Sequence, residues 1–126
     1  MWFTVSKLDN RIVGTTDDAE KSTLHDLAWF TERYSFIDVD EYLKELNYTD
    51  EDDKILKVMR AAGLYNWIDK TPEGYNSEIE WGDWKHDHKF CDDLMRVLGY
   101  DLLQEELTEE DGSDCYSAIH YYVKGE

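Results

Sequence analysis

The residues best suited to chemistry crowd one stretch, Trp81-Gly82-Asp83-Trp84-Lys85-His86-Asp87-His88-Lys89-Phe90-Cys91-Asp92-Asp93. Imidazole, thiolate and carboxylate are the donor groups of zinc and related transition metals. Spacing is the obstacle. His86 and His88 are two apart and cannot share a helix face, whereas His88 and Asp92, four apart, can. A third ligand must then come from a distant position, such as His25 or His120. The stretch matches neither the HExxH pattern nor paired CxxC. His86, His88 and Asp92 are therefore the candidates if a metal is held, and the motifs call for neither metal nor cofactor. The alternative is a helix N-terminus whose mixed polar groups face solvent.

A second set of reactive types is His25, Cys115, His120 and Tyr122. His120 and Tyr122 fall on one face of a strand, and a histidine can serve as a general base beside a suitable acid and nucleophile. No Ser-His-Asp or Cys-His order is specific here, and a packed, hydrogen-bonded histidine is the competing role for each. Paired carboxylates carry no signal, because thirty acidic residues supply too many pairs. There is no phosphate loop of the GxGxxG or GxxxxGK[ST] type, and the acids miss the calcium-loop spacing. Trp67, Trp81 and Trp84 are candidate partner anchors, since tryptophan is enriched at binding hot spots. Core packing is the alternative for each.

These residues must be positioned by a mixed set of elements. Trp2 to Ser6 and Arg11 to Gly14 read as a hairpin. Thr15-Thr16 followed by acids reads as a helix start, with the helix running to about Arg33 and Leu24, Leu27, Ala28 and Thr31 on one side. A short helix follows over Glu41 to Leu46. Thr49 is placed to cap a third helix whose stripe is Ile55, Val58, Met59 and Ala62, with Gly63 at its end. Tyr75 to Trp81 is a strand or ordered loop. The next helix runs from about Trp84 or Lys85 to Leu98, with core stripe Phe90, Cys91, Leu94, Val97 and Leu98. Tyr100 to Leu107 and Cys115 to Val123 form a final hairpin around a polar turn. The fold class is α+β: a small antiparallel sheet, made of the N-terminal hairpin and the C-terminal hairpin, packed against about four helices. At 126 residues, the length fits a single compact acidic domain.

Charge bounds the partners. Thirteen basic and thirty acidic residues give a formal net charge of -17. Direct nucleic-acid binding and anionic membranes are disfavoured, because both need Lys and Arg; a basic protein surface is the complement. With 41% hydrophobic and 14% aromatic residues, the chain can still bury a core. No apolar run approaches the roughly 18 residues of a membrane span. No signal peptide is visible and the two cysteines, Cys91 and Cys115, do not make a secreted disulfide framework, so the expected location is cytoplasmic.

The acids concentrate at Asp38, Asp40, Glu41, Glu45, Asp50, Glu51, Asp52 and Asp53, and again at Glu105, Glu106, Glu109, Glu110, Asp111 and Asp114. If they converge, they form a field that steers a basic partner. The functional expectation is a non-enzymatic acidic protein-binding or inhibitor protein, of the immunity or anti-defence kind, acting on a basic partner, with nucleic-acid-binding proteins among the options. A solvated face that only supports solubility is the alternative account of the charge. Two other readings stand beside it. One is a small metal-dependent or histidine-based hydrolase. The other is a structural or oligomer-forming protein, a homodimer among the options, suggested by the two-sided apolar strand from Cys115 to Val123.

Overall fold

Aspartates cap three of the helix starts, and Gly63 closes one helix end. Helix α1 (Asp18–His25) begins at Asp17, whose carboxylate accepts from the Glu20 N–H at 2.8 Å. Helix α3 (Val39–Glu45) begins at Asp38, which accepts from Glu41 N–H at 3.1 Å. Helix α4 (Glu51–Ala61) begins at Asp50, which accepts from Asp53 N–H at 2.8 Å. Each side chain satisfies a backbone donor that the helix leaves without a partner. At the end of α4, Gly63 adopts φ 75°, the left-handed region that a side chain resists. The Leu64 N–H then reaches back to Met59 O at 2.8 Å and the Gly63 N–H to Arg60 O at 3.1 Å, a Schellman closure with Leu64 buried.

The computed structural model describes residues 1–80, 84–109 and 116–125. They form two compact units, Met1–Tyr65 and Asn66–Glu126. In the first unit, β1 (Trp2–Ser6) is the central strand of an antiparallel sheet in the order β2-β1-β3, with β2 spanning Ile12–Thr16 and β3 Tyr34–Asp38. Phe3, Val5 and Ile12 are buried with Phe30 of α2 (Ala28–Arg33), Val39, and Ile55, Val58 and Met59 of α4. Thr4 and Thr16, buried on neighbouring strands, satisfy each other by a hydroxyl–hydroxyl bond of 2.5 Å.

In the second unit, β4 (Ile68–Thr71), β5 (Gly74–Glu80), β6 (Tyr100–Glu109) and β7 (Tyr116–Lys124) form an antiparallel sheet in the order β4-β5-β7-β6. Helix α5 (Trp84–Val97) packs on the face that carries Tyr75, Ser77 and Ile79 of β5 and Ala118, His120 and Tyr122 of β7. Its buried residues are His88, Cys91, Leu94 and Met95, spaced to line one side of the helix. Gly74 permits the close pairing of β5 with β7: a Cβ there would lie 2.1 Å from Tyr122 O. No described helix is long and apolar enough to cross a membrane.

The α+β class read from the sequence is what the structure has, and it differs in how the elements are divided. The strands form two sheets, one per unit, because β1 finds its second partner in β3, a strand the local sequence did not announce. The expected helix through Arg33 is broken at Leu27, which has extended backbone. The break lets Phe30 pack on Tyr34 and Phe36, with ring centroids 4.8 and 5.6 Å away. Thr49 is not the cap of α4. Asp50 takes that place, and Thr49 instead donates its N–H to Asp53 at 2.9 Å.

Candidate functional site

Helix α5 and strands β5, β6 and β7 bring one polar cluster together beneath the helix. His88 and Asp92, one turn apart on α5, face His120 of β7; one ligand atom from each of the three lies within 4.8 Å of the others. His120 is the hub. Its Nδ1 meets Asp92 Oδ1 at 2.7 Å and its Nε2 meets Glu105 Oε2 at 2.6 Å. An ionised carboxylate only accepts, so with both acids ionised each ring nitrogen donates to one of them and the ring bridges the pair. The register of β6 with β7 sets this pair, since Glu105 lies directly opposite His120. The His120 side chain is 4% exposed and Asp92 16%, whereas Glu105, at 47%, opens the cluster to solvent.

The rest of the network hangs from this hub. Tyr122 donates its hydroxyl to Asp92 Oδ1 at 2.6 Å, and Ser77 Oγ lies 3.2 Å from the Tyr122 hydroxyl and 3.4 Å from His88 Nδ1. His88 Nε2 lies 2.8 Å from Ala118 O. A carbonyl accepts, so Nε2 carries the proton and Nδ1 keeps a lone pair. The two imidazoles stack at 3.9 Å between centroids and 21° between planes. Burial pushes the His88 imidazole below its ordinary value, and the charge on His120 adds to that.

The neighbouring protons are held tightly. Burial pushes the Cys91 thiol up to about 11. Burial likewise pushes the Tyr122 phenol up, with Cys91 and the hydrogen bond to Asp92 adding. Neither the fully buried Ser77 nor the raised thiol of Cys91 is a nucleophile that a substrate in solution can reach.

Of the metal candidates read from the sequence, His88 and Asp92 meet and His86 does not join them. His86 sits exposed beside Asp87 at 3.6 Å. His120 takes the third place. His25 is exposed beside Asp26 in the first unit. Trp67 is exposed at 37%. Trp81, Cys115 and the side chain of Trp84 lie outside the described residues. The sequence assigned Glu105 to an acidic surface, and its bond to His120 was missed. The register of β6 with β7 pairs residue 105 with 120, and nothing local to Glu105 in the sequence signals that pairing.

The acids divide in role. Asp38 and Asp50 cap helices, and Glu51 pairs with Lys54 at 2.9 Å. Asp53 accepts from Thr49 N–H and from Lys57 at 3.1 Å; these bonds, the Thr49 one foremost, hold its carboxyl below the usual range. Asp40, Glu41 and Glu45 are exposed on α3, and Asp52 is half-buried on α4. Glu106 accepts from the Tyr121 hydroxyl at 3.0 Å, which raises that phenol. The side chain of Glu109, with Glu110, Asp111 and Asp114, lies outside the described residues.

Strand β6 itself is the second feature. It is ten residues long and no described strand pairs with its outer edge. Every residue from Asp101 to Glu106 is exposed. Leu102 and Leu103 are 46% and 59% exposed, flanked by Asp101, Glu105 and Glu106, and the pairing with β7 is irregular between Leu102 and Gln104. Comparison with protein-family models, with curated proteins and with solved structures returned no match.

Proposed function

We propose that the protein works without catalysis, by binding an extended basic segment of another protein along the outer edge of β6. One observation carries this reading: a long sheet edge that presents two exposed leucines between acidic side chains. Open edges offer rows of backbone donors and acceptors that an added strand can pair with. The leucines supply apolar contact, and the acids select a cationic partner while raising its rate of encounter. A second copy of this chain is a poor occupant, because edge-to-edge pairing would set acids against acids. A formal net charge of -17 adds long-range repulsion between copies and suits a partner whose basic surface otherwise meets phosphates.

The test uses an alternating lysine–leucine dodecapeptide and its glutamate–leucine counterpart. The basic peptide should bind in dilute buffer, weaken steeply between about 50 and 200 mM salt, and perturb β6 amides. Leu103→Lys should weaken it by about tenfold, the cost of lost apolar contact plus one repulsive charge. Equal binding of both peptides would defeat the reading. Amide perturbations confined to α3 and α4 would defeat the β6 assignment and leave an acidic binding protein.

A further inference from the structure

We infer that His88, Asp92 and His120 form a binding site for a late first-row divalent cation of the zinc type, pinning helix α5 to strand β7. The donor set, two imidazoles and a carboxylate, suits such ions. Position suits them too, because one ligand atom from each residue already lies within 4.8 Å of the others.

The outer partners carry the argument further. A ligating histidine holds its second nitrogen against an acceptor, which fixes ring and tautomer. Both rings satisfy this. His88 Nε2 is held by Ala118 O at 2.8 Å and His120 Nε2 by Glu105 at 2.6 Å. His120 Nδ1 is the nitrogen turned to Asp92, and His88 Nδ1, 3.4 Å from Ser77 Oγ, is the nitrogen that His88 has left to offer an ion. Asp92 is steadied by the Tyr122 hydroxyl at 2.6 Å. Such support is more than packing a buried histidine requires.

Binding exchanges a proton for the ion. The proton shared by His120 Nδ1 and Asp92 Oδ1 occupies the space between two ligand atoms 2.7 Å apart. Metal–ligand bonds of about 2.0–2.1 Å in tetrahedral geometry set donors about 3.3 Å apart, so this pair opens by roughly half an ångström as the proton leaves. The stacked rings, 21° apart and 3.9 Å between centroids, hold their lone pairs in separate, nearly parallel planes. One ring must therefore turn for both to reach a single ion. Three protein ligands leave one position for water.

The experiment titrates the whole protein with Zn²⁺ and with Co²⁺ as a spectroscopic probe. One equivalent should bind with micromolar or tighter affinity, and Co²⁺ should show the intense visible bands of a tetrahedral site. X-ray absorption of the zinc form should show nitrogen and oxygen neighbours including two imidazoles. Asp92→Asn, which preserves volume, should weaken binding at least about 100-fold, and His120→Gln likewise. The double variant His25→Gln/His86→Gln should bind as the parent does. The proposal is overturned if the parent binds no zinc at 100-fold excess, if Asp92→Asn binds unchanged, if the double variant loses the site, or if a sulfur shell at about 2.3 Å appears.

Discussion

The acids of the first unit and those of the second are put to different uses. In the first, Asp17, Asp38 and Asp50 each bond to a backbone N–H three residues along, and Asp53 and Glu51 find lysines within one helical turn. In the second, Asp92 and Glu105 meet a histidine 28 and 15 residues away, and they meet it buried. Local bonds in water contribute modestly and independently. A buried charge bridging two others is held in a medium that strengthens every bond and penalises every missing one. The lesson is that the abundance of acid says little, and the separation in sequence of acid and partner says much.

The comparison breaks first, and hardest, at His120. His120→Ala leaves Asp92 and Glu105 facing each other without the bridging cation, beside a new cavity. Removing one member of a buried charge pair costs about 3–5 kcal/mol, so the urea midpoint should fall sharply with an unchanged slope. A loss under about 1 kcal/mol, the scale of a surface pair, would place the cluster among ordinary surface interactions.

The next effect is in alkali. The Cys91 thiol stays protonated in the folded protein up to about 11, against 9.0 for the free group. Between those values the unfolded chain releases a proton that the folded chain keeps, so stability must fall as pH rises. Two pH units correspond to a loss on the order of 2–3 kcal/mol by pH 11. Cys91→Ala should remove the part of the fall that begins near pH 9; the raised Tyr122 phenol keeps a later part. An unchanged alkaline profile in Cys91→Ala would show the thiol is not sealed.

The smallest effect lies in the first unit. Asp50→Ala removes a helix cap and should cost about 1 kcal/mol, read as faster hydrogen exchange confined to the first turn of α4. Acid should act there too. The Asp53 carboxyl is held below its ordinary value of 3.8, so its contribution is present above that pH and is lost as pH falls through the lowered value. A loss near that of His120→Ala would erase the contrast between the units.

Helix α4 was legible almost residue by residue. Ile55, Val58, Met59 and Ala62 repeat at helical spacing and are buried, and Gly63 takes the left-handed turn. The final hairpin was legible from alternation. Strand β3 was not, because Tyr34 to Asp38 is extended through pairing with β1, whose residues Trp2 to Ser6 lie far earlier in the chain at every rung. The site was half legible: His88 and Asp92 show their shared face at once, and His120 was one of two distant candidates. Glu105 was hidden among the acids, since nothing in its own neighbourhood distinguishes it from Glu106.

By itself, then, the sequence determined the α+β class, the C-terminal ends of α4 and α5, the acidic character and the pairing potential of His88 with Asp92. All of these rest on periodicity, composition or contacts within one helical turn. Tertiary structure alone decided that the strands divide into two sheets, that His120 sits between Asp92 and Glu105, and that β6 is an edge strand. Among the described residues no strand pairs with the outer edge of β6, whose inner edge pairs with β7, and all of this depends on which distant segments meet and in what register. A one-residue slip of β6 on β7 would turn Glu105 to the opposite face and dissolve the cluster without changing a residue.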